Sequence, residues 1–415
     1  MEELIEIGKR ARAASLQLAH LNTKDKNEIL FSFAKSLEDN ASNLLKANEK
    51  DLRVGEKMGL KGAIVERLTL TNEKIHAIAE GLREIALLDD PIGEVEEMKR
   101  RPNGLLIGKK RVPLGVVGVI YESRPNVTAD VAGLCIKTGN VCVLRGGKEA
   151  FNSNNEIVKL LQNVISGMGL DKHMVQLVQN TNRESALAMM KLNDYLDILI
   201  PRGGAGLIKA VVENSTVPVI ETGVGNCHIY IDEGADIEKA LRIVVNSKTQ
   251  RPGVCNAAES LLVHEGIASA ILPELGNLLN DKGVEIRGDA ATLKLIPTAV
   301  KATEEDWGME YLDLIISVKT VKSLDEAMAH IHKYGSQHSE CIVTENYSHA
   351  QLFLDRVDAA AVYANASTRF TDGYEFGYGA EIGISTQKLH ARGPMGLKEL
   401  TTNKYVIYGD GQIRE

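Results

Sequence analysis

From Gly115 onward the chain alternates short apolar runs with amphipathic stretches, and that rhythm leaves few folds open. The runs cover residues 115–120, 141–144, 174–178, 196–200 and 217–220. Helical spacing fills 128–137, 154–165, 183–192 and 205–213 between them. Near-continuous apolar runs of this length suit strands covered on both faces, and helices between such strands make βαβ units with a parallel sheet. A second rhythm follows Cys227, with strands expected at 228–231, 260–264, 314–318, 341–344 and 360–363 and helices at 237–246, 267–280 and 324–333. The fold class is therefore α/β, with two α/β domains built on parallel sheets. The break falls near 221–226, where Gly223 and Gly225 loosen the chain.

Two segments stand outside this rhythm. The first 93 residues are helical, with Ile29, Leu30, Phe33 and Leu37, then Ile75, Ile78, Leu82 and Ile85, at helical spacing. They form a cover and carry no chemistry. Residues 94–114 hold Lys99-Arg100-Arg101, then Pro102-Asn103-Gly104 between extended flanks, a hairpin signal. The hairpin is either an arm that reaches a second subunit or a solvated surface loop. The strand-like Tyr405-Val406-Ile407-Tyr408 is placed to pair with it.

Composition excludes several function classes. The 415 residues are 44% hydrophobic and 25% charged, the profile of a soluble globular protein of two or three domains. A net charge of -8 argues against nucleic acid or an anionic membrane as partner. Cys135, Cys142, Cys227, Cys255 and Cys341 are odd in number and lack CxxC spacing, so neither a disulfide framework nor a metal site is expected. The acidic start, Met1-Glu2-Glu3, is unlike a signal peptide, and no apolar run reaches the ~20 residues of a membrane span. The expected location is cytoplasmic.

Four constellations carry chemistry. In Gln250-Arg251-Pro252-Gly253-Val254-Cys255-Asn256-Ala257-Ala258, a cysteine follows a Pro-Gly turn and precedes an Ala-rich stretch able to start a helix. A helix N-terminus lowers a thiol pKa and offers N–H groups to an oxyanion. Taken singly, Cys255 reads rather as a small buried apolar residue. In Tyr121-Glu122-Ser123-Arg124-Pro125-Asn126, Pro125 turns Arg124 away from helix, leaving Arg124 and Asn126 to grip an anion or polarise a carbonyl. In Arg145-Gly146-Gly147-Lys148, glycines admit a ligand to the backbone, and two cations suit a 2′-phosphate, pointing to NADP(H). In Pro201-Arg202-Gly203-Gly204, a Gly-rich turn opens a helix whose N-terminus can take a pyrophosphate, although the GxGxxG spacing is absent. Glu221 lies 34 residues before Cys255, at the junction of the two domains, where a carboxylate can serve as base.

The order of these elements, together with Ala366-Ser367-Thr368-Arg369-Phe370-Thr371-Asp372-Gly373, resembles the aldehyde dehydrogenase superfamily across essentially the whole chain. Within it the resemblance is to the γ-glutamyl phosphate reductase branch. It implies Cys255 as nucleophile, Glu221 at the family glutamate, Arg145 at the adenosine-ribose position and Glu310 as the nicotinamide-ribose acceptor, with Leu312-Asp313 standing where the family has Gly-Pro. The family's Pro-Trp-Asn-Phe-Pro is replaced here, so Asn126 or Arg124 takes the oxyanion role. Ser367, Thr368 and Arg369 are implied at the substrate end. The implied activity is NADPH-dependent reduction of L-glutamyl 5-phosphate through a cysteine thioester, with phosphate-independent hydrolytic oxidation as the alternative. The implied division is 1–93 with 113–222 for the cofactor, 94–112 with 396–415 as an oligomerisation arm, and 223–395 for catalysis. Homo-oligomers and an upstream glutamate kinase are the implied partners.

Overall fold

Helices open the chain because apolar residues recur every three or four positions behind polar caps. In the computed structural model, which describes residues 1–414 without the side chain of Ala63, they are α1 (Glu2–Leu18), α2 (Thr23–Asp39), α3 (Ala41–Lys57), α4 (Ala63–Leu68) and α5 (Asn72–Leu87). Asn22 caps α2 by accepting from Asp25 N, and Thr71 caps α5 by accepting from Lys74 N. Ile29, Leu30, Phe33 and Leu37 of α2 are buried, as are Ile75, Ile78, Leu82 and Ile85 of α5.

After the hairpin strands β1 (Val95–Arg100) and β2 (Leu106–Pro113) comes β3 (Val116–Tyr121), buried along its whole length. It is followed by α6 (Pro125–Lys137), β4 (Val141–Arg145), α7 (Phe151–Gly167), β5 (Val175–Leu177), α8 (Arg183–Met189), β6 (Ile198–Arg202) and α9 (Ala205–Asn214). The four strands form a parallel sheet in the order β5-β4-β3-β6. The carboxyl ends of β4, β3 and β6 thus lie side by side. The strand expected at 217–220 is only a bridge, Leu199 to Val219. Pro218 has no N–H to extend the ladder, although its carbonyl accepts from Leu199 N at 2.8 Å.

The chain divides into two compact units. One holds Met1–Glu221, Gly377–Gly383 and Met395–Glu415; the other holds Thr222–Phe376 and Ile384–Pro394. Residues 377–383, expected in the catalytic part, therefore belong with the first unit.

In the second unit the chain runs β7 (Cys227–Ile231), α10 (Ile237–Thr249), β8 (Ala258–His264), α11 (Glu265–Asp281), β9 (Glu285–Gly288), α12 (Ala290–Leu295), β10 (Val300–Lys301), β11 (Ile315–Val321), α13 (Leu324–Tyr334), β12 (Ser339–Val343), α14 (Tyr347–Arg356) and β13 (Ala361–Ala364). Its sheet is parallel throughout, in the order β10-β9-β11-β8-β7-β12-β13. Ile229, Ile231, Leu261, Val263, Ile316 and Val318 from this sheet pack with Val244, Ile271 and Leu275 from α10 and α11 in one core. A two-stranded ribbon pairs β14 (Ile384–Ser385) with β15 (Gly393–Pro394). Strands β9 and β10 and helix α14 were not legible in the sequence: β9 and β10 are short and partly polar, and Phe353 is the one fully buried side chain among the described residues of α14.

The hairpin forms as expected, and β16 (Thr401–Tyr408) pairs antiparallel with β2, from Thr401 opposite Pro113 to Tyr408 opposite Leu106. This three-stranded sheet, β1-β2-β16, belongs to the first unit. The last residue assigned to the arm, Glu415, lies outside the described residues. Val95, Met98, Tyr405, Ile407 and Tyr408 are exposed on the arm. No helix among the described residues is long and apolar enough to cross a membrane.

Candidate active site

In the second unit, α10 buries Ala240, Leu241, Ile243 and Val244 and ends at Thr249 with Gln250 as its C-cap. Residues 251–257 then form a turn, closed by Ala257 N donating to the Val254 carbonyl at 3.1 Å. The expected helix after Cys255 is absent. Ala257 and Ala258 are fully buried, and Ala258 opens β8, which lies between β7 and β11. Sheet burial overrides the helical preference of alanine there. The helix end nearest to Cys255 in sequence is therefore a C-terminus, where the partial charge is negative. Cys255 is nonetheless distinguished from its fellows. It is partly exposed, whereas Cys135, Cys142, Cys227 and Cys341 are buried.

The backbone at Cys255 is held from several sides. The Cys227 S–H donates to the Cys255 carbonyl at 3.1 Å. Gly225 does not loosen the chain: a Cβ there would lie 1.6 Å from the Cys255 carbonyl oxygen. Gly223 likewise leaves no room, its Cβ position being 2.2 Å from Thr386 Cγ2. Gly225 N donates to Glu310 Oε1 at 2.7 Å, and burial raises the Glu310 pKa. Beneath the turn, Lys248 and Glu259 form a fully buried ion pair at 2.6 Å. Glu259 also accepts from Leu312 N, and burial pushes its pKa up to about 7. This pair joins the two ends of the cysteine turn and was missed from sequence, where Lys248 and Glu259 look like ordinary surface charges.

The segment 367–371 closes over the same turn. Thr368 Oγ1 donates to the Asn256 carbonyl at 2.7 Å, and the Ser367 and Ser247 hydroxyls are 2.8 Å apart. Asn256 Nδ2 donates to the Thr371 carbonyl at 2.8 Å. The half-buried Arg369 guanidinium donates through Nε to Gln250 Oε1 at 2.9 Å and through a terminal nitrogen to Asn256 Oδ1. The structure thus brings Cys255, Ser367, Thr368 and Arg369 together, with Glu310 linked to the group through Gly225.

In the first unit, the other expected residues collect at the carboxyl ends of β3, β4 and β6. Arg124 caps α6 with Pro125 at its first turn, and its φ of -139° is extended, as expected ahead of proline. Asn126 is exposed on the next residue and donates to Asp130 Oδ2 at 3.0 Å. Burial pushes the Asp130 pKa up to about 6. Ser123 adopts a left-handed φ of 33° and donates its N–H and its hydroxyl to Glu149 Oε1, both at 2.8 Å. Arg145 donates to the Thr181 and Asn182 carbonyls at 2.6 and 2.7 Å, its Nε is buried without a protein partner, and Lys148 is exposed.

The glycines of these turns serve the protein's own packing. A Cβ at Gly146 would meet Asn154 Nδ2 at 2.2 Å, one at Gly147 the Glu149 carboxylate at 2.0 Å, and one at Gly203 the Glu122 carboxylate at 2.5 Å. The Gly204 N–H, expected to face a phosphate at the start of α9, donates to Glu122 Oε2 at 3.0 Å, and Arg202 ends β6 beside it. Glu122 and Glu149 were missed as organisers of these turns, because nothing in their spacing signals that role. Glu221 is the partly buried last residue of the first unit's long segment.

The aldehyde dehydrogenase family pattern matches residues 1–292. A γ-glutamyl phosphate reductase of Carboxydothermus hydrogenoformans is 61% identical over 414 residues, covering 100% of both chains. One from Moorella thermoacetica is 59% identical and covers 98% of each. The chain belongs to the aldehyde dehydrogenase family, in its γ-glutamyl phosphate reductase branch. The crystal structure of the Thermotoga maritima γ-glutamyl phosphate reductase, 49% identical, superposes with a TM-score of 0.97 over 100% of both chains. An acetylating aldehyde dehydrogenase of Geobacillus thermoglucosidasius, 20% identical, shares the fold at a TM-score of 0.72. The family is one of nicotinamide-dependent enzymes. The residues at the ends of β4, β3 and β6 fit such a group: cations, close turns and one buried Arg145 N–H lacking a protein acceptor stand together there.

Proposed function

We propose that this chain reduces L-glutamyl 5-phosphate to L-glutamate 5-semialdehyde with NADPH, releasing phosphate, as a step of proline biosynthesis in the cytoplasm. The observation that carries the reading is Cys255, the partly exposed member of five cysteines, on a turn braced by Gly225, Cys227 and Asn256. Full-length relatives that bear the reductase name support it.

The Cys255 sulfur attacks the acyl phosphate carbonyl. The C–S bond forms, the C–O bond to phosphate breaks, and a thioester remains. Splitting the reaction in this way lowers each barrier. A nicotinamide cofactor held by Arg145, Lys148, Arg202 and Glu310 would supply the hydride for the thioester carbonyl. The C–S bond then breaks, Cys255 recovers its electrons and the semialdehyde leaves. The Cys255 N–H, with Asn126 or Arg124, stabilises the oxyanion, a contribution of about 3 kcal/mol per donor. Ser367, Thr368, Arg369 and Arg124 bind substrate. Arg145, Gly146, Gly147, Lys148, Arg202, Gly203 and Gly204 form the nucleotide site, and Glu310 accepts from the ribose. Exposed Lys148 is the better placed of the two cations for a 2′-phosphate, since Arg145 already serves two carbonyls. Glu221 is kept as a residue of the site without a hydrolytic role, because a base that activated water would waste the thioester. Copies of the chain associate through the β1-β2-β16 arm, and a glutamate kinase hands over its short-lived product.

Cys255→Ala and Cys255→Ser test the mechanism, with turnover near the wild-type rate as the outcome that ends it. Phosphate dependence separates the hydrolytic alternative: NADP reduction by the semialdehyde stops without phosphate or arsenate if this reading holds.

A further inference from the structure

We propose that Arg369 is the positioning cation that keeps the Cys255 sulfur as thiolate, in place of the helix N-terminus that the turn lacks. The inference rests on Cys255 being the nucleophile. Its geometric basis is a pair of tethers on either side of that residue. Gln250 Oε1 accepts from Arg369 Nε at 2.9 Å, and Asn256 Oδ1 accepts from a terminal nitrogen of the same guanidinium. Asn256 is itself fixed, its Nδ2 donating to the Thr371 carbonyl at 2.8 Å and to that of Arg369 at 3.4 Å. Two residues that flank the cysteine thus hold one planar cation by its fork, a geometry that lysine cannot reproduce.

A cation here opposes the negative end of α10. The end of α10 presents carbonyls, and the charged or titratable neighbours are mostly acidic or neutral. From β7, Cys227 stands behind the Cys255 carbonyl with its thiol pushed up by burial. From β12, Glu340 pairs with His228, and the adjoining His338 is pushed down to about 4 by burial and is neutral. Lys248 is spent on Glu259. Glu310 reaches the turn through Gly225 N, and Asp372 follows the arginine segment. Arg251 adds a positive charge, but it is exposed, where water screens it. Burial and Arg251 lower the Arg369 pKa, whereas Asp372 and Cys255 raise it, so the attraction between guanidinium and thiolate is mutual. An arginine stays charged through such a shift. The thiol proton goes to solvent, and Arg369 stabilises what is left.

The test is the pH dependence of iodoacetamide alkylation of the substrate-free enzyme, with Cys255→Ser giving the background from the four buried cysteines. The wild-type midpoint is expected below the ordinary thiol value of about 8.5. Arg369→Gln raises it by at least one pH unit, and Arg251→Gln moves it less. Gln250→Met, at an exposed position, loosens one tether and raises it by a smaller amount should Arg369→Gln not fold. Midpoints unchanged from wild type in the folded variants overturn the proposal. That result leaves the reductase reading standing, whereas full activity in Cys255→Ser ends the reading itself.

Discussion

Gly225→Ala places one methyl group against the reacting cysteine's own backbone. The added Cβ would lie 1.6 Å from the Cys255 carbonyl oxygen, 2.4 Å from its carbonyl carbon and 2.6 Å from its Cα. Real Cβ contacts stay beyond 3.0 Å, so the two backbones must part by at least 3.0 − 1.6 = 1.4 Å. Gly225 cannot easily give way, since its N–H is held by Glu310 and its carbonyl accepts from Cys227 N at 3.0 Å. The displacement falls on the Cys255 turn. Overpacking of this kind costs about 1–3 kcal/mol of stability. A misplacement near 1 Å costs about 10²-fold in catalysis, equivalent to about 2.7 kcal/mol. The assay is kcat/KM for the semialdehyde with phosphate and NADP, beside a urea unfolding curve. Gly81→Ala is the control: it lies within α5 with nothing inside 4 Å of the new Cβ, and it should gain about 0.5–1 kcal/mol with unchanged activity. A Gly225→Ala enzyme with kcat/KM within twofold of wild type would refute the claim that this close approach sets the sulfur's position.

Asp51, fully buried on α3, accepts from Asn152 N, Asn152 Nδ2, Ser153 N and Ser153 Oγ at 2.6–3.0 Å and so caps α7. Asp51→Ala should cost about 3 kcal/mol by urea titration without altering KM, and a loss under 1 kcal/mol contradicts the capping role. His330 and His338 are held down by burial to about 3 and about 4. As pH falls below about 6.5 the unfolded chain takes up these protons and the folded chain does not. Stability therefore declines from pH 6.5 towards 4, by up to about 1.4 kcal/mol per pH unit per histidine. His330→Phe should remove one proton from that slope, and an unaltered slope between pH 6.5 and 4 shows that the imidazole is not responsible. Lys148→Ala should raise KM for NADPH about tenfold and leave KM for NADH unchanged, an ionic contact to phosphate being worth about 1.5–3 kcal/mol. Equal effects on both cofactors count against a 2′-phosphate contact.

The sheets and their helices were legible because β3 is apolar along its whole run and β7, β8 and β12 each hold an apolar stretch, at 229–231, 261–263 and 341–343, the pattern of strands covered on both faces. The pairing of β16 with the hairpin was legible from a turn signal and an alternating end segment. The role of Ala257 and Ala258 was not. Two alanines favour a helix, and the contact that overrides this is the pairing of Ala258 with Cys227 of β7, 258 − 227 = 31 positions earlier. Gly146, Gly203 and Gly225 were visible as glycines, but the partners that require them, Asn154, Glu122 and Cys255, meet them only in the folded chain. Arg369 could be named as a residue of the site, whereas its tethers to Gln250 and Asn256 span more than a hundred positions.

The last partner of β2 arrives late in synthesis. A ribosome that has made Pro113 must add another 288 residues before Thr401 emerges to lie opposite it. At 5–20 residues per second that interval is roughly 15–60 s. Throughout it, one edge of β2 is an open template for any extended chain nearby, nascent copies on the same message included. Lys109, Lys110 and Arg111 occupy that strand, and charges of this kind discourage edge-to-edge pairing between chains. The basic character of the hairpin thus protects the growing polypeptide during translation.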